Sequence, residues 1–309
     1  TKIFAQEMQG DFLLKYEKKL SAFELSASLG GSTLHNRYRR ENNRANALMF
    51  PQVFSLSNSK FAVITIPYES EYAINSIYGL FTVSYKNFLF LDLTARNDWS
   101  SVLATPESTD NSSFFYPSVN LSVVLSDMFK MPRWITFAKL RASFSEVGSS
   151  GTKTYQNTYV YAAADGFSGG LMNPKTLPNP DLRPQRTRTY EVGADLRLFN
   201  NKLGIDIALY QGETRDQILT ATLDRSTGYN NMIVNGGLVR NRGLEIEVNA
   251  TPLRNKRGWT WRLFGTYSAN ENTVMELTDD LFALQLQNTL SGRGSMEARV
   301  GQSMSAIYG

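Results

Sequence analysis

In the stretch FLFLDLTARNDW, residues 88–99, Leu89, Leu91, Leu93 and Ala95 share one parity, while Phe88, Phe90, Asp92, Thr94, Arg96 and Asp98 share the other. Successive side chains of an extended strand point to opposite faces. The pattern therefore predicts a strand with one apolar face and a second face that turns polar and charged from Asp92 onward. The same alternation returns along the chain. Ala138, Leu140, Ala142 and Phe144 oppose Lys139, Arg141, Ser143 and Ser145; Tyr190, Val192, Ala194, Leu196 and Leu198 oppose Glu191, Gly193, Asp195 and Arg197. Leu203, Ile205, Ile207 and Leu209 oppose Asp206, and Leu244, Ile246, Val248 and Ala250 oppose Glu245, Glu247 and Asn249. Weaker versions cover 11–18, 20–30, 77–86, 114–126 and 259–270. This predicts about ten strands, most of about 9 to 12 residues, where strands of soluble proteins centre nearer five or six. Helical periodicity is nearly absent, and a short helix is expected only around TDDLFALQLQ, 278–287.

Connections between the expected strands alternate in length. Short turns are expected at Lys18–Lys19, Lys86–Asn87, Asp127–Arg133, Phe199–Lys202 and Thr251–Gly258. Long links are expected at 31–76, 97–113, 147–186, 224–238 and 271–309. In an up-and-down meander all the short turns then fall at one end and all the long loops at the other, the asymmetry of transmembrane β-barrels. A closed barrel also solves the problem of crossing lipid, because every backbone donor and acceptor finds a partner on a neighbouring strand. The expected fold is thus all-β, an antiparallel up-and-down transmembrane β-barrel, with the apolar parity toward lipid and the charged parity toward the lumen. Aromatics at strand ends agree: Tyr85 and Phe88 flank one short turn, Leu198 and Phe199 another, and Trp134, Trp259 and Trp261 follow two more. Such rings favour membrane interfaces, although they also cap the cores of soluble β-proteins.

Composition changes this picture little. The chain has no cysteine, so disulfides and thiolate metal sites are excluded, and no run approaches the roughly 18 apolar residues of a membrane-spanning helix. Its net charge of +4 is spread without a basic block, which argues against nucleic acid as a partner. Catalysis finds no foothold. The single histidine, His35, lies among NRYRRENNR without an evident orienting acid, and the glycines of GFSGG at 166–170 lack the strand-to-helix setting of a phosphate cradle. Neither a metal nor a cofactor is expected.

Several stretches, in order, resemble the SusC/RagA-like, TonB-dependent outer-membrane transporters of the Bacteroidetes. They are LDLTARNDWSS with FFYPSVNLSVVLSD (91–101 and 114–127), LRASFSEVGSSG (140–151), and NPDLRPQRTRTYEVGADLRLFNNKLGIDIALYQGETRDQIL continuing to STGYNNMIVNGGLVRNRGLEIEVNATPL. Gln185 stands where that family usually has Glu, and residues 1–76 carry no distinctive motif. The resemblance implies a barrel of about 22 strands, of which residues 1–309 supply about ten. On this reading the signal peptide, the plug domain and the C-terminal strands lie outside the sequence. It also implies TonB-driven import of an oligosaccharide or peptide, a SusD-like surface lipoprotein as lid, contact with the TonB complex through the plug, and no enzymatic activity.

The residues themselves offer two groups of candidates. Asp92, Arg96, Asp98, Lys139, Arg141, Glu191, Asp195, Arg197, Glu245, Glu247 and Arg262 are expected on the lumen, where they pair across strands and with a plug, or contact the solute. Trp99, Tyr155, Asn157, Tyr159, Tyr161 and Phe167 are loop candidates for ligand contact, because aromatic faces beside amides suit sugars and peptides. Packing within the loops is the competing role. A passive porin or anchoring barrel, and a soluble all-β binding module, remain as alternatives at this stage.

Overall fold

The computed structural model describes residues 1–163, 170–255, 258–278, 283–288, 294–304 and 306–308. Its strands are β1 (Lys2–Leu20), β2 (Phe23–Arg44), β3 (Ile64–Tyr85), β4 (Leu89–Ser100), β5 (Ser113–Val124) and β6 (Ile135–Ser149). Three two-residue strands follow in one long link: β7 (Ala162–Ala163), β8 (Leu171–Met172) and β9 (Thr176–Leu177). The chain then returns to long strands, β10 (Gln185–Leu198), β11 (Leu203–Thr222), β12 (Asn231–Arg254) and β13 (Thr260–Glu276), and ends in β14 (Ala283–Asn288), β15 (Ser295–Arg299) and β16 (Ala306–Tyr308). β1–β6 and β10–β13 pair in sequence order as antiparallel neighbours, forming one curved wall ten strands wide. Among the described residues β1 and β13 are its two edges.

Register keeps the two parities apart across the whole wall. One row, read across paired residues, runs Ala142, Val192, Leu209, Leu244 and Ala269; the row beneath it runs Leu140, Ala194, Ile207, Ile246 and Tyr267. On the other half, Leu29, Gly79, Ala95 and Pro117 form one row and Phe81, Leu93 and Val119 another. These side chains form an exposed apolar belt on the outer face. From Leu198 to Tyr190 it measures about 26 Å along the strand, enough to cross most of a hydrocarbon core at barrel tilt. The opposite face, which a closed barrel turns inward, carries Asp92, Arg96, Lys139, Arg141, Glu191, Asp195, Arg197, Glu245 and Glu247. Arg262 shares this parity with Phe264 and Thr266.

All the short connections lie at one end. Lys86 and Asn87, both at positive φ, turn β3 into β4, and Phe199, Asn200 and Asn201 take the same left-handed conformation between β10 and β11. The hydroxyl of Thr136 accepts the N–H groups of Asn200 (2.9 Å) and Asn201 (3.4 Å), anchoring that turn to β6. Aromatic rings gather here: Phe23 against Tyr85 at 4.8 Å, Tyr85 against Phe88 at 5.4 Å, and Trp134 against Phe199 at 6.4 Å. Exposed Trp259 and Trp261 extend the girdle.

Four expectations need correcting. The first turn lies at Ser21–Ala22 rather than Lys18–Lys19; both lysines belong to β1, and Lys19 pairs with Glu24 across the hairpin at 2.6 Å. The long links are shorter than expected, because strands continue past the belt: β2 and β3 remain paired to Arg44 and Ile64. There water wets both faces, so the apolar alternation ends while backbone pairing goes on. The described part of the expected helix at 278–287 is the strand β14, with Leu284 and Leu286 on one parity and Gln285 on the other. His35 does have an acidic partner, Glu71, at 2.7 Å on the neighbouring strand.

A wall one strand thick has no ordinary core. Tight apolar packing occurs instead at the long-loop end. There Asp216 and Gly237 lie opposite each other, both at positive φ (53° and 82°), between the register pairs Arg215↔Leu238 and Gln217↔Gly236. Above that joint the β11–β12 hairpin packs on both faces. Ile218 and Ile233 meet Leu103, Phe114 and Leu182, while Leu219, Ala221, Met232 and Val234 meet Val274, Leu277, Leu284 and Ala298.

Candidate functional site

Two charged networks occupy the inner face. The upper one sits where β3, β4 and β5 approach the long loops. Arg96 donates from Nε to Asp98 Oδ1 (2.7 Å) and from Nη2 to Ser76 Oγ (2.8 Å), and the Tyr116 hydroxyl donates to Asp98 Oδ2 (2.6 Å). The guanidinium also lies over the Tyr78 ring at 5.4 Å. Asp98 is buried and both its oxygens are engaged, so it holds the wall together here. Trp99 points the other way: paired with Asn75 and Ser113, it has the outer parity and is exposed.

The lower network joins β6, β10 and β11. Arg141 makes a two-pronged contact with Asp206, 2.8 Å on each side, and a third with Glu191 at 3.4 Å. Such charge-assisted, bidentate pairs are the strongest of the side-chain hydrogen bonds. Gly193 makes room for it, since a Cβ there would come within 2.6 Å of Arg141 Cζ and Nε. Asp195, opposite both Lys139 and Asp206, takes Arg197 at 3.4 Å. Glu247 lies opposite Asp206 and Glu245 opposite Ala208. A cavity of about 250 Å³ lies among Arg141, Glu191, Asp206, Glu245 and Glu247. The arrangement gives a wet, charged inner surface with acids in local excess. It suits the passage or docking of polar material, and among the described residues no cluster of His, Asp or Glu is placed to hold a metal ion.

At the long-loop end the aromatic candidates divide. Tyr159 and Tyr161 meet edge to face at 5.8 Å, and the Tyr159 and Tyr229 hydroxyls share a hydrogen bond of 2.7 Å. That bond and the neighbouring phenols push the Tyr159 hydroxyl up to about 12, so it stays protonated in any biological medium. Tyr155 and Tyr161 are exposed. Asn157 is buried, its amide given to the Ala104 carbonyl at 2.8 Å, a loop-packing role. Phe167 lies outside the described residues. Tyr116, Asp206 and Tyr229 are absent from the sequence-based candidates. Asp206 alone left a trace there, as the one acid in an otherwise apolar run.

No helix among the described residues is long and apolar enough to cross a membrane. A family model described as TonB dependent receptor-like, beta-barrel matches residues 6–294. The chain belongs to that family.

Relatives agree with the assignment. TonB-dependent receptor P26 of Formosa agariphila is 29% identical over 263 residues, 82% of this chain and 26% of that protein. TonB-dependent receptor SusC of Bacteroides thetaiotaomicron is 26% identical over 224 residues, 68% of this chain and 22% of its own length. Among solved structures, the RagAB peptide transporter superposes with a TM-score of 0.82 at 20% identity, over 97% of this chain and 33% of that one. The chain thus spans about a quarter of the P26 receptor it matches. As a TonB-dependent receptor barrel, it lies in the outer membrane of a Gram-negative cell and belongs to a transport family, not an enzyme family. The short turns then face the periplasm and the long loops the exterior.

Proposed function

We propose that the protein containing this barrel imports a nutrient, an oligosaccharide or a peptide, across the outer membrane with energy delivered through TonB. The family match over residues 6–294 carries the reading. Residues 1–309 form part of the barrel domain; a plug within the lumen contacts the TonB complex, and a SusD-like lipoprotein covers the mouth. The charged inner face supports it, because Arg141, Asp206, Glu245 and Glu247 line a wet path through which a polar solute or a plug slides at low cost. Tyr155, Tyr159, Tyr161 and Tyr229 are the candidate contacts for cargo or lid at the mouth, and the RagAB match, named for peptide transport, favours peptide cargo.

Uptake tests this directly. Cells making the parent protein are given labelled oligopeptides and, separately, labelled oligosaccharides, with and without an uncoupler of the inner-membrane proton gradient. One pool should accumulate, and accumulation should stop with the uncoupler. Uptake that is indifferent to the gradient would instead identify a passive pore. If neither pool enters, both cargo classes are wrong.

A further inference from the structure

The outer face holds a second charged array that transport does not use. Directly above the last fully apolar row (Ala142, Val192, Leu209, Leu244, Ala269), the next row reads Phe144, Tyr190, Gln211, Arg242, Glu271. The row after that reads Glu146, Arg188, Glu213, Arg240, Thr273, followed by Arg186 and Arg215. All of these share the parity of the lipid-facing belt. Side-chain rows are two residues apart, so the arginines begin about 7 Å above that last fully apolar row, on the extracellular side.

Arg242 and Glu271 pair side by side at the surface, whereas the other acids and bases of the array are layered. Glu146 accepts from Arg186 (2.6 Å) and Arg188 (2.8 Å), with 8% of its side chain exposed against 40% and 52% for the two arginines. Glu213 takes Arg240 at 3.0 Å and Arg215 at 3.7 Å, with 21% exposed against 34% and 57%. Four guanidiniums therefore cover two carboxylates that lie beneath them, and the surface offered to the membrane is positive. Immediately below, a groove of about 580 Å³ opens between the strands, with Tyr190, Val192, Leu209, Leu244 and Ala269 along it and Arg242 at its upper rim, where its guanidinium donates to Glu271 at 2.7 Å. The apolar floor and the four guanidiniums above it together fit an amphiphile whose anionic head sits just above the last apolar row. Arg188 and Arg240 stand two strand spacings apart, about 10 Å, which matches a phosphorylated disaccharide better than a single phosphodiester.

We propose that the outer face of β10–β13 binds an outer-leaflet lipid A glycolipid, its phosphate held by Arg188 and Arg240, with Arg242 turning from Glu271 to join them, and an acyl chain lying in the groove beneath. This depends on the barrel's place in the outer membrane and not on the cargo. Guanidinium favours this role because its planar fork matches phosphate oxygens and it is weakly hydrated at an interface.

Native mass spectrometry of the parent protein in detergent tests it, with three probes added at equal ratio: phosphorylated lipid A, the same lipid A stripped of phosphate, and dioleoylphosphatidylglycerol. Phosphorylated lipid A should be retained about tenfold better than either alternative, the worth of roughly one charge-assisted contact. Arg188→Gln, Arg240→Gln and Arg242→Gln combined should remove that preference, while Arg254→Gln at the periplasmic end should leave it intact. Ala269→Trp, which fills the groove and keeps every arginine, should also lower retention and decides the matter if the triple variant loses its heat-modifiable mobility. Equal retention of the stripped lipid, equal retention of phosphatidylglycerol, or an Ala269→Trp variant indistinguishable from the native protein would each overturn the proposal.

Discussion

Arg141 is the residue whose loss should be felt most on the inner face. Its guanidinium bridges β6, β10 and β11 through Asp206 and Glu191. Replacement by Gln leaves Lys139 on the row of Asp195, Asp206 and Glu247, and Arg197 on Asp195, to face this group of acids. A bidentate, charge-assisted contact contributes about 1.5–3 kcal/mol in a buried setting. Here the side chains of Arg141 and Asp206 are 29% and 39% exposed, so solvent screening reduces the expected loss to about 1–2 kcal/mol. The assay is urea unfolding of the parent barrel in detergent, followed by tryptophan fluorescence, for Arg141→Gln, Asp206→Asn and the double variant. The cycle should give a coupling of about 1 kcal/mol that shrinks in 1 M salt, where screening acts within about 3 Å. A coupling indistinguishable from zero at low salt would refute the reasoning. So would a coupling that salt leaves untouched, because the interaction would then be packing and not charge.

Gly193→Ala should reproduce part of that loss without touching any charge, since the new Cβ meets Arg141 at 2.6 Å; combined with Arg141→Gln it should cost little more, and full additivity in the same unfolding assay would show the contact to be irrelevant. Thr136→Val removes the hydroxyl that accepts the N–H groups of Asn200 and Asn201 and should cost about 1 kcal/mol, read as faster amide exchange confined to the 199–202 turn. Asp224 accepts the N–H of Ser226 at 2.8 Å, and this bond to backbone and side chain holds its carboxyl below the usual range. Its contribution is therefore present above the ordinary carboxylate pKa and lost as pH falls through the depressed folded value. Protection of the 224–229 amides should drop on acidification in the native chain and stay flat in Asp224→Ala.

The wall was legible because lipid imposes a period of two on one face, and that signal survives in Leu89 to Ala95, in Tyr190 to Leu198 and in Leu244 to Ala250. Where water meets both faces the constraint vanishes. Ser32–Arg44 and Ile64–Asn75 therefore read as loop although their backbones stay paired. That Asp92, Arg96, Arg141 and Glu191 share the face opposite the apolar belt followed from parity alone. Their partners did not, because the Arg141–Asp206 contact spans 65 residues and His35–Glu71 spans 36. Trp99 was grouped with the mouth by its neighbours in sequence, yet one step of parity puts it on the outer face. The left-handed joint at Asp216 had a faint sequence trace in the Gly236–Gly237 pair across from it, but which two residues face each other is a matter of register, which alternation does not number.

The β11–β12 hairpin behaves mechanically as a cantilever. It is rooted in the wall at two left-handed residues, Asp216 and Gly237, which form one narrow joint. Its free end is wedged between Leu103 and Leu182 on one side and Val274 and Leu284 on the other. A beam clamped on both faces transmits load instead of swinging, so displacement of the β4–β5 loop on one side reaches the β14–β16 sheet on the other. On this part of the rim, a force applied to any one of the segments packed against the hairpin is therefore shared by the others.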